Sequence, residues 1–239
     1  MTSPTTAAAL FVVLAACTPA ATTQGGPAAG PAPQPAAGAA PRQDSIAAAL
    51  RRATLPASPR QVRFAWELDE AGARFRGSGV ARYVAPTRFR MDLFGPRGET
   101  YLAAALVDET PRVPPAVGER FKLPSPALLW GAVGVVHPPS GARLVSAADE
   151  GGQVTLRYDL GAEGTLEYRA RASRLVHLRR VQGGALKESV DLEYADTGAL
   201  RSARYREWIA LRNLNLTLES STDVASFPDD TWNPPGTGR

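Results

Sequence analysis

Cysteine and histidine are scarce in this sequence, which contains one cysteine, Cys17, and two histidines, His137 and His177. A single cysteine excludes an internal disulfide, so packing has to stabilise the folded part. No His, Cys, Asp or Glu cluster has metal-ligand spacing, and no Gly-x-Ser-x-Gly motif is present. The sequence therefore predicts no metal, no cofactor and no enzymatic activity. His137 and His177 are interpreted as loop and sheet-surface residues, and a hydrolase is the least favoured class.

Lysine is almost absent, and the positive residues other than Lys122 and Lys187 are all arginines. The formal net charge is +4, but the arginines are scattered singly or in pairs among Asp and Glu. A nucleic-acid-binding surface needs a basic stripe, which is missing here. The pattern predicts solvated sheet faces and no nucleic-acid partner, and it leaves weak attraction to anionic lipid head groups open.

A long apolar run is also missing, because the N-terminal run over residues 7–16 is too short to span a bilayer. Its length is typical of the apolar core of a signal peptide, although no Lys or Arg precedes it, which leaves the true start codon open. The run ends in Leu-Ala-Ala-Cys17, which resembles the lipobox of bacterial lipoproteins; a chance cysteine is the alternative. The resemblance predicts a signal peptide over residues 1–16 and a lipidated Cys17. Because Thr18 follows instead of Asp, it favours the periplasmic face of the outer membrane.

The chain divides by composition into a tether, a domain and a short tail. Residues 18–43 contain no aromatic or branched aliphatic side chain, so we expect the lipidated cysteine and a disordered tether over 17–43. A folded domain is predicted over 44–232 and a C-terminal tail over 233–239. Within the domain, Asp44 or Ser45 is expected to cap a short helix over residues 46–53.

Alternation with period two dominates the rest of the chain and predicts antiparallel strands with one apolar face. Glycine-containing turns such as Asp-Glu-Gly-Gly and Ala-Asp-Thr-Gly separate the strands. We expect nine to eleven strands in a mainly β fold, either a sandwich or a curled, barrel-like sheet. The exception is a central helix over residues 126–132, with Ser125 as its cap and Pro126 at its first position. A helix this apolar must cover the apolar face of the sheet.

The inward face of one predicted strand carries the small residues Gly77, Gly79 and Ala81. Small inward residues either let the central helix pack closely or leave a cavity. Ring-bearing residues on neighbouring strands surround this place. The sequence alone leaves both readings open, with plain core packing favoured.

The stretch from Pro86 to Leu102, Pro-Thr-Arg-Phe-Arg-Met-Asp-Leu-Phe-Gly-Pro-Arg-Gly-Glu-Thr-Tyr-Leu, resembles a signature of one family. It is similar to the strand-turn-strand of the LolB branch of the LolA/LolB lipoprotein-localisation superfamily. The resemblance implies an unclosed antiparallel β-barrel, or half-barrel, covered by short helices. It also implies a cavity that holds acyl chains of lipoproteins or other lipids without a cofactor. The turn of that branch carries a protruding leucine where this chain has Arg97, so the membrane-insertion step is not expected to carry over.

The resemblance yields a defined functional hypothesis: a monomeric, outer-membrane-anchored lipoprotein that binds acyl chains. The alternative is a structural or accessory envelope lipoprotein with a filled core that acts through protein contacts. The residues expected to line the cavity are Phe64, Trp66, Phe75, Tyr83, Phe89, Met91, Leu93, Tyr101, Leu128, Leu129 and Trp130.

Overall fold

The first described element is a helix that begins earlier than expected. The computed structural model describes residues 39–118 and 123–237, so Cys17, the signal peptide and the tether up to residue 38 lie outside the described residues. Helix α1 spans Ala39–Thr54, and the expected cap at Asp44 or Ser45 is wrong because both residues lie inside the helix. Alanine favours helices and proline is tolerated in a first turn, which extends the helix to residue 39. None of the described helices is long and apolar enough to cross a membrane.

One antiparallel sheet contains the twelve strands found among the described residues. Consecutive strands are neighbours within β1–β5 and within β6–β12, and β1 pairs with β12. The edge strands β5 and β6 do not pair with each other, so the sheet stays open and the predicted unclosed β fold is confirmed. The strands are β1 Arg60–Glu70, β2 Ala73–Val84, β3 Arg88–Phe94, β4 Thr100–Val107, β5 Thr110–Arg112, β6 Arg143–Glu150, β7 Gln153–Asp159, β8 Thr165–Arg171, β9 Arg174–Gln182, β10 Ala185–Tyr194, β11 Leu200–Glu207 and β12 Arg212–Asp223.

The antiparallel order places the chain turns at two opposite ends of the sheet. The turns after β1, β3, β7, β9 and β11 lie at one end, which we name the odd-turn end. The turns after β2, β4, β6, β8 and β10 lie at the opposite, even-turn end. Side chains at every second position of a strand point to the same face, so each hairpin contributes to one apolar inner face.

Two helices pack on the inner face of the sheet. Ala47 and Leu50 of α1 are buried, and the helix contacts β6, β7 and β9. Helix α2 is a single turn, Pro115–Gly118. Helix α3, Pro126–Ala132, packs against β9, β10 and β11, and Ser125 and Pro126 occupy the cap and first-turn positions as predicted. The Ser125 side chain makes no cap hydrogen bond; its carbonyl oxygen accepts the Leu129 amide at 3.1 Å.

The outer face of β3 is covered, although its alternation predicted a solvated polar face. Asp92 is only 3% exposed. Its carboxylate accepts hydrogen bonds from Arg82 at 2.8 Å and from Arg90 at 2.8–3.0 Å. Arg90 also donates to the carbonyl oxygen of Thr231 at 2.8 Å, in the 3-10 turn Asp229–Trp232. The C-terminal segment therefore lies across the outside of this hairpin.

The packed C-terminal segment continues beyond residue 232, where the predicted domain ends. Trp232 and Pro234 are buried, and the Asn233 side chain accepts a hydrogen bond from Arg112 of β5. The first residues of the segment that was expected to be a tail, from residue 233, therefore pack on the domain, because Trp232 anchors them.

Candidate apolar binding site

A small apolar cavity lies between α3 and the inner face of β3, β4, β11 and β12. Its volume is about 60 Å³, and of the fifteen described residues that line it, Tyr205 alone carries a polar side-chain group. Such a lining offers burial to an apolar ligand and almost no hydrogen bonding. The lining residues are Phe89, Met91, Leu93, Leu102, Ala104, Ala105, Leu123, Pro124, Leu128, Leu129, Ala132, Ala203, Tyr205, Leu214 and Leu216.

Five of the eleven residues expected to line a cavity do line this one. Strand β3 supplies Phe89, Met91 and Leu93, which alternate with Arg90 and Asp92 and are therefore directed to the inner face. Helix α3 supplies Leu128 and Leu129. The strand and the helix that carry the predicted site thus face each other across the cavity.

Trp130 and Tyr83 lie in the packed core next to the cavity. The ring of Trp130 meets Phe89 edge-on at 5.4 Å and Tyr83 at 6.1 Å between centroids. Trp130 is completely buried, and its Nε1 has no hydrogen-bond partner among the described residues. The indole therefore holds α3 on the sheet by ring packing, without a polar contact at its nitrogen.

Phe64 and Trp66 occupy the volume above the inward glycines of β2. A Cβ atom at Gly79 would lie 2.3 Å from Phe64 Cε2, and one at Gly77 would lie 1.8 Å from the Phe94 carbonyl oxygen. Trp66 Nε1 donates to the carbonyl oxygens of Ser78 at 2.9 Å and Phe94 at 3.1 Å. Gly79 therefore accommodates the Phe64 ring, and Gly77 accommodates the Phe94 carbonyl oxygen beside the Trp66 indole. The central helix does not occupy this space.

Phe75 and Tyr101 lie towards the odd-turn end, outside the cavity. Phe75 is 39% exposed and packs on Tyr101 at 5.5 Å between ring centroids. Tyr101 in turn packs on Trp66 at 5.0 Å. Phe75 is opposite Leu68 in the register, close to the tip of the first hairpin, and therefore too near the sheet end to be enclosed.

Hydrogen-bonded charges flank the cavity at Tyr205. The Tyr205 hydroxyl donates to Glu188 Oε1 at 2.8 Å, and Glu188 also accepts from Arg180 Nε at 2.7 Å. Burial, and then the neighbouring Glu188 carboxylate, raise the pKa of Tyr205, so the phenol stays protonated and remains a donor. The only polar group of the lining is thereby directed to Glu188, which is 5% exposed.

A second ion-pair group lies on the inner face at the odd-turn end. Arg212 precedes the cavity residue Leu214 by two positions, so the two side chains share a face. It forms ion pairs with Glu70 and, at 3.0 Å, with Glu207, and its side chain is 11% exposed. These charges separate the apolar lining from the turn between β11 and β12.

Helix α3 and the segment that follows it are attached in different ways. In the following segment, the Val136 amide donates to Thr54 Oγ1 at 3.1 Å and the Ser140 amide to Glu109 Oε1 at 2.8 Å. Trp130 Nε1 is the polar side-chain atom of α3, and it has no hydrogen-bond partner among the described residues. The helix is thus held by apolar packing, while its C-terminal connection is tied to α1 and to the β4–β5 turn.

His137 belongs to this polar attachment. Its Nε2 lies 3.3 Å from Glu109 Oε1, within ion-pair distance but without hydrogen-bond geometry. Burial lowers the pKa of His137, and the Glu109 carboxylate opposes this only in part. A neutral imidazole packed against the ring of Trp130 is therefore the form at neutral pH.

A second cavity of about 440 Å³ opens at the even-turn end and has a mixed polar and apolar lining. Arg60 in this lining pairs with Asp223 at 2.9 Å, and Arg174 lies over the ring of Tyr194, 5.8 Å from its centroid. Burial raises the pKa of Tyr194 to about 12, so its hydroxyl donates to the carbonyl oxygen of Leu175. Among residues 39–118 and 123–237, no group of three or more His, Cys, Asp or Glu could hold a metal ion.

Sequence reasoning missed ten of the fifteen lining residues. Leu102, Leu214 and Leu216 alternate with polar or small neighbours, so period two could have found them. The alanines at positions 104, 105, 132 and 203 carry no such signal. They line the cavity because the larger side chains of neighbouring strands and of α3 do not fill the space next to these alanines.

The open antiparallel sheet with helices on its inner face is a LolA-like fold. A LolA superfamily protein from Nitrosomonas europaea matches with a TM-score of 0.54 and 12% identity, over 80% of this chain and 97% of its own. A domain described as an outer-membrane lipoprotein-sorting protein from Vibrio parahaemolyticus matches with a TM-score of 0.50 and 10% identity, over 81% and 97%. No protein-family model and no curated protein sequence matches the chain. At these identities the likeness establishes the fold.

Proposed function

We propose that this protein is a lipid-anchored carrier that holds acyl chains of lipoproteins or other lipids beneath α3. The observation that carries the proposal is the apolar cavity itself, since fourteen of the fifteen lining residues that the structure describes have no polar side-chain group. Burial of apolar surface contributes roughly 25 cal/mol per Å² and requires no specific polar partner. An acyl chain is the ligand chemistry that such a lining selects, and the role includes no covalent step.

Entry of an acyl chain requires α3 to move. The cavity of about 60 Å³ is several times smaller than the roughly 300–1,000 Å³ of ordinary ligand pockets. Because α3 is held by apolar contacts, an entering chain replaces the contacts that the helix loses. The polar attachments of Val136 and Ser140 keep the following segment in place while the helix is displaced.

The anchor and the location are part of the same proposal. Lipidation of Cys17 and the periplasmic face of the outer membrane are supported by the lipobox-like sequence and by Thr18. A LolB-like member of the superfamily is the finer identification that we favour, on the residues from Pro86 to Leu102. Arg97 is exposed in the turn after β3, and its amide donates to Glu99 Oε2 at 2.9 Å. We therefore do not assign to this turn the step in which lipoproteins are inserted into the membrane.

A second candidate function is favoured by the small volume of the cavity. The space under α3 measures only about 60 Å³, as expected for a structural or accessory envelope lipoprotein with a filled core that acts through protein contacts. The two candidates differ in whether lipid binds under α3.

Lipid co-purification distinguishes these functions. A fragment of residues 18–239, which contains every described helix and strand, is purified from a bacterial periplasm and examined by native mass spectrometry before and after addition of palmitate. The carrier is expected to retain lipid or bind palmitate. Ala203→Leu narrows the cavity and should weaken palmitate binding about tenfold, or about 1.4 kcal/mol.

Ala81→Leu is the matched control, because Ala81 is a buried alanine of the inner face that does not line the cavity. Its palmitate binding should equal that of the wild type, with folding of each variant checked by circular dichroism. Absence of lipid in the folded wild type would support the filled-core candidate.

A separate measurement tests the lipid anchor. The intact mass of the full-length protein from the same host should include acyl mass, since lipidation adds it at Cys17.

A further inference from the structure

The turn between β11 and β12 exposes three large apolar side chains together. Trp208 is 47% exposed, and Ile209 and Leu211 are each 72% exposed. With Ala210 they form a four-residue apolar tip, which we name the 208–211 tip. Isolated exposed apolar residues are ordinary, but a contiguous group of this kind marks an interaction surface.

The base of this tip is held firmly. The Trp208 amide donates to the carbonyl oxygen of Lys187 at 3.0 Å. Directly after the tip, Arg212 forms its ion pairs with Glu70 and Glu207. Leu211 has a φ of +49°, in the left-handed region that leucine seldom adopts. The fold thus holds the tip exposed at some conformational cost at Leu211.

The tip extends from the strands that form the cavity. Strand β11 contributes Ala203 and Tyr205 to the lining, and β12 contributes Leu214 and Leu216. The tip lies at the odd-turn end, as does the turn that contains Arg97. The nearest strands of these two turns, β3 and β12, lie three strand spacings apart, about 15 Å along the sheet. Any surface bound by the tip therefore comes close to one end of the apolar site.

The small size of the 208–211 tip and the positive charges near it favour a lipid bilayer as the surface that the tip binds. A stable protein partner needs roughly 800 Å² on each side, which a four-residue tip does not provide. Tryptophan beside aliphatic residues is the composition that enters the head-group region of membranes. Lys187, beside Trp208, and Arg97 at the same end form no ion pair among the described residues, so both are available to anionic head groups.

We propose that the 208–211 tip inserts into the head-group region of an anionic bilayer and brings the odd-turn end of the sheet to the membrane. The proposal concerns the membrane contact and does not depend on what the cavity holds. Trp208, Ile209 and Leu211 enter the bilayer, and Lys187 and Arg97 contact its phosphates.

Trp208 provides a direct test, because the other three tryptophans, Trp66, Trp130 and Trp232, are buried. The fragment of residues 18–239 is titrated with vesicles of phosphatidylethanolamine and phosphatidylglycerol in a 3:1 ratio. We expect a blue shift of the tryptophan emission and loss of its quenching by iodide. A variant with Ile209→Asp and Leu211→Asp, which keeps Trp208, should lose about tenfold or more of its vesicle partitioning.

Val145→Asp is the matched control, since Val145 is an exposed apolar residue of the edge strand β6, away from the tip. This variant should partition like the wild type. An unchanged emission spectrum with vesicles, or equal partitioning of the double variant, would overturn the proposal. So would a wild-type dimer in sedimentation experiments that the double variant abolishes, because the tip would then bind a second copy. Native mass spectrometry reports cavity binding separately, so failure of either idea is recognisable.

Discussion

Gly79 shows how one residue without a side chain sets the packing of two strands. Because Gly79 has no Cβ, the Phe64 ring can pack directly against its backbone. Phe64 is itself 2% exposed and is enclosed by the core. At Gly77, the same arrangement lets the Trp66 indole reach two carbonyl oxygens. The inner face is therefore filled here by rings of β1, and the apolar cavity lies further along the sheet, under α3.

Gly79→Ala should destabilise the protein, because the new Cβ would lie 2.3 Å from Phe64 Cε2 and 3.0 Å from the Asp92 carbonyl oxygen. Overpacking of this kind costs about 1–3 kcal/mol of the free energy of unfolding. Urea denaturation of the 18–239 fragment measures the change. Ser78→Ala is the control, since Ser78 is exposed and only its carbonyl oxygen bonds Trp66. A loss below about 0.5 kcal/mol, the range of surface substitutions, would contradict the packing argument.

Helix α3 is the element on which the proposed function depends. It has only seven residues, and an isolated helix of this length is unstable in water. Its stability comes from Leu128 and Trp130, which are buried against the sheet. An element held by apolar contacts alone opens at lower cost than the central strands β1 and β12, which are hydrogen-bonded on both sides.

Hydrogen exchange should detect this difference. The amides of α3 are expected to exchange at least about tenfold faster than those of β1 and β12, through local opening of the helix. Addition of palmitate should slow exchange in α3 and leave the strands unchanged. Exchange of α3 at the rate of the central strands would mean that the helix leaves the sheet only on global unfolding, and a mobile lid would be excluded.

At the scale of the whole molecule, both faces of the β2–β4 region are covered, but by different chemistry. Helix α3 covers the inner face with apolar side chains. The C-terminal segment covers the outer face over the buried Asp92, with Arg90 bridging to Thr231. Trp232 is the apolar anchor of that segment and packs edge-on against Phe227 at 5.6 Å between ring centroids. The segment farthest along the chain thus stabilises the hairpin that lines the cavity.

Trp232→Ala should lower the free energy of unfolding by about 3–5 kcal/mol, the usual cost of removing a buried large aromatic side chain. Thermal and urea denaturation of the 18–239 fragment measure it. Trp208→Ala makes the same change at the exposed tip and should alter stability by less than about 0.5 kcal/mol. Equal effects of the two substitutions would show that the C-terminal segment does not stabilise the domain.

Period-two alternation predicted which residues share a face, and the structure confirms it for Phe89, Met91 and Leu93. The glycine-containing turns were also predicted from short stretches of sequence. In the structure the strands end at these turns. The start of α1 was missed because the alanines that precede Asp44 continue a helix as readily as they form a tether. The 208–211 tip was missed because four apolar residues in a turn look like part of a strand until their neighbours are placed.

The sequence by itself determined a mainly antiparallel β fold, the inward face of the hairpins and the position of α3, because these depend on alternation, turns and caps along short stretches. Alternation left a sandwich and a curled sheet open, and only the family resemblance implied that the sheet is unclosed. Only the tertiary structure decided what covers each face. Asp92 became buried because the C-terminal segment returns across β3, and Phe64 filled the space at Gly79 because β1 pairs with β2 in that register. The apolar cavity and the exposed tip likewise depend on which distant segments meet, and side-chain volumes from four strands and one helix have to be placed together before a free volume exists.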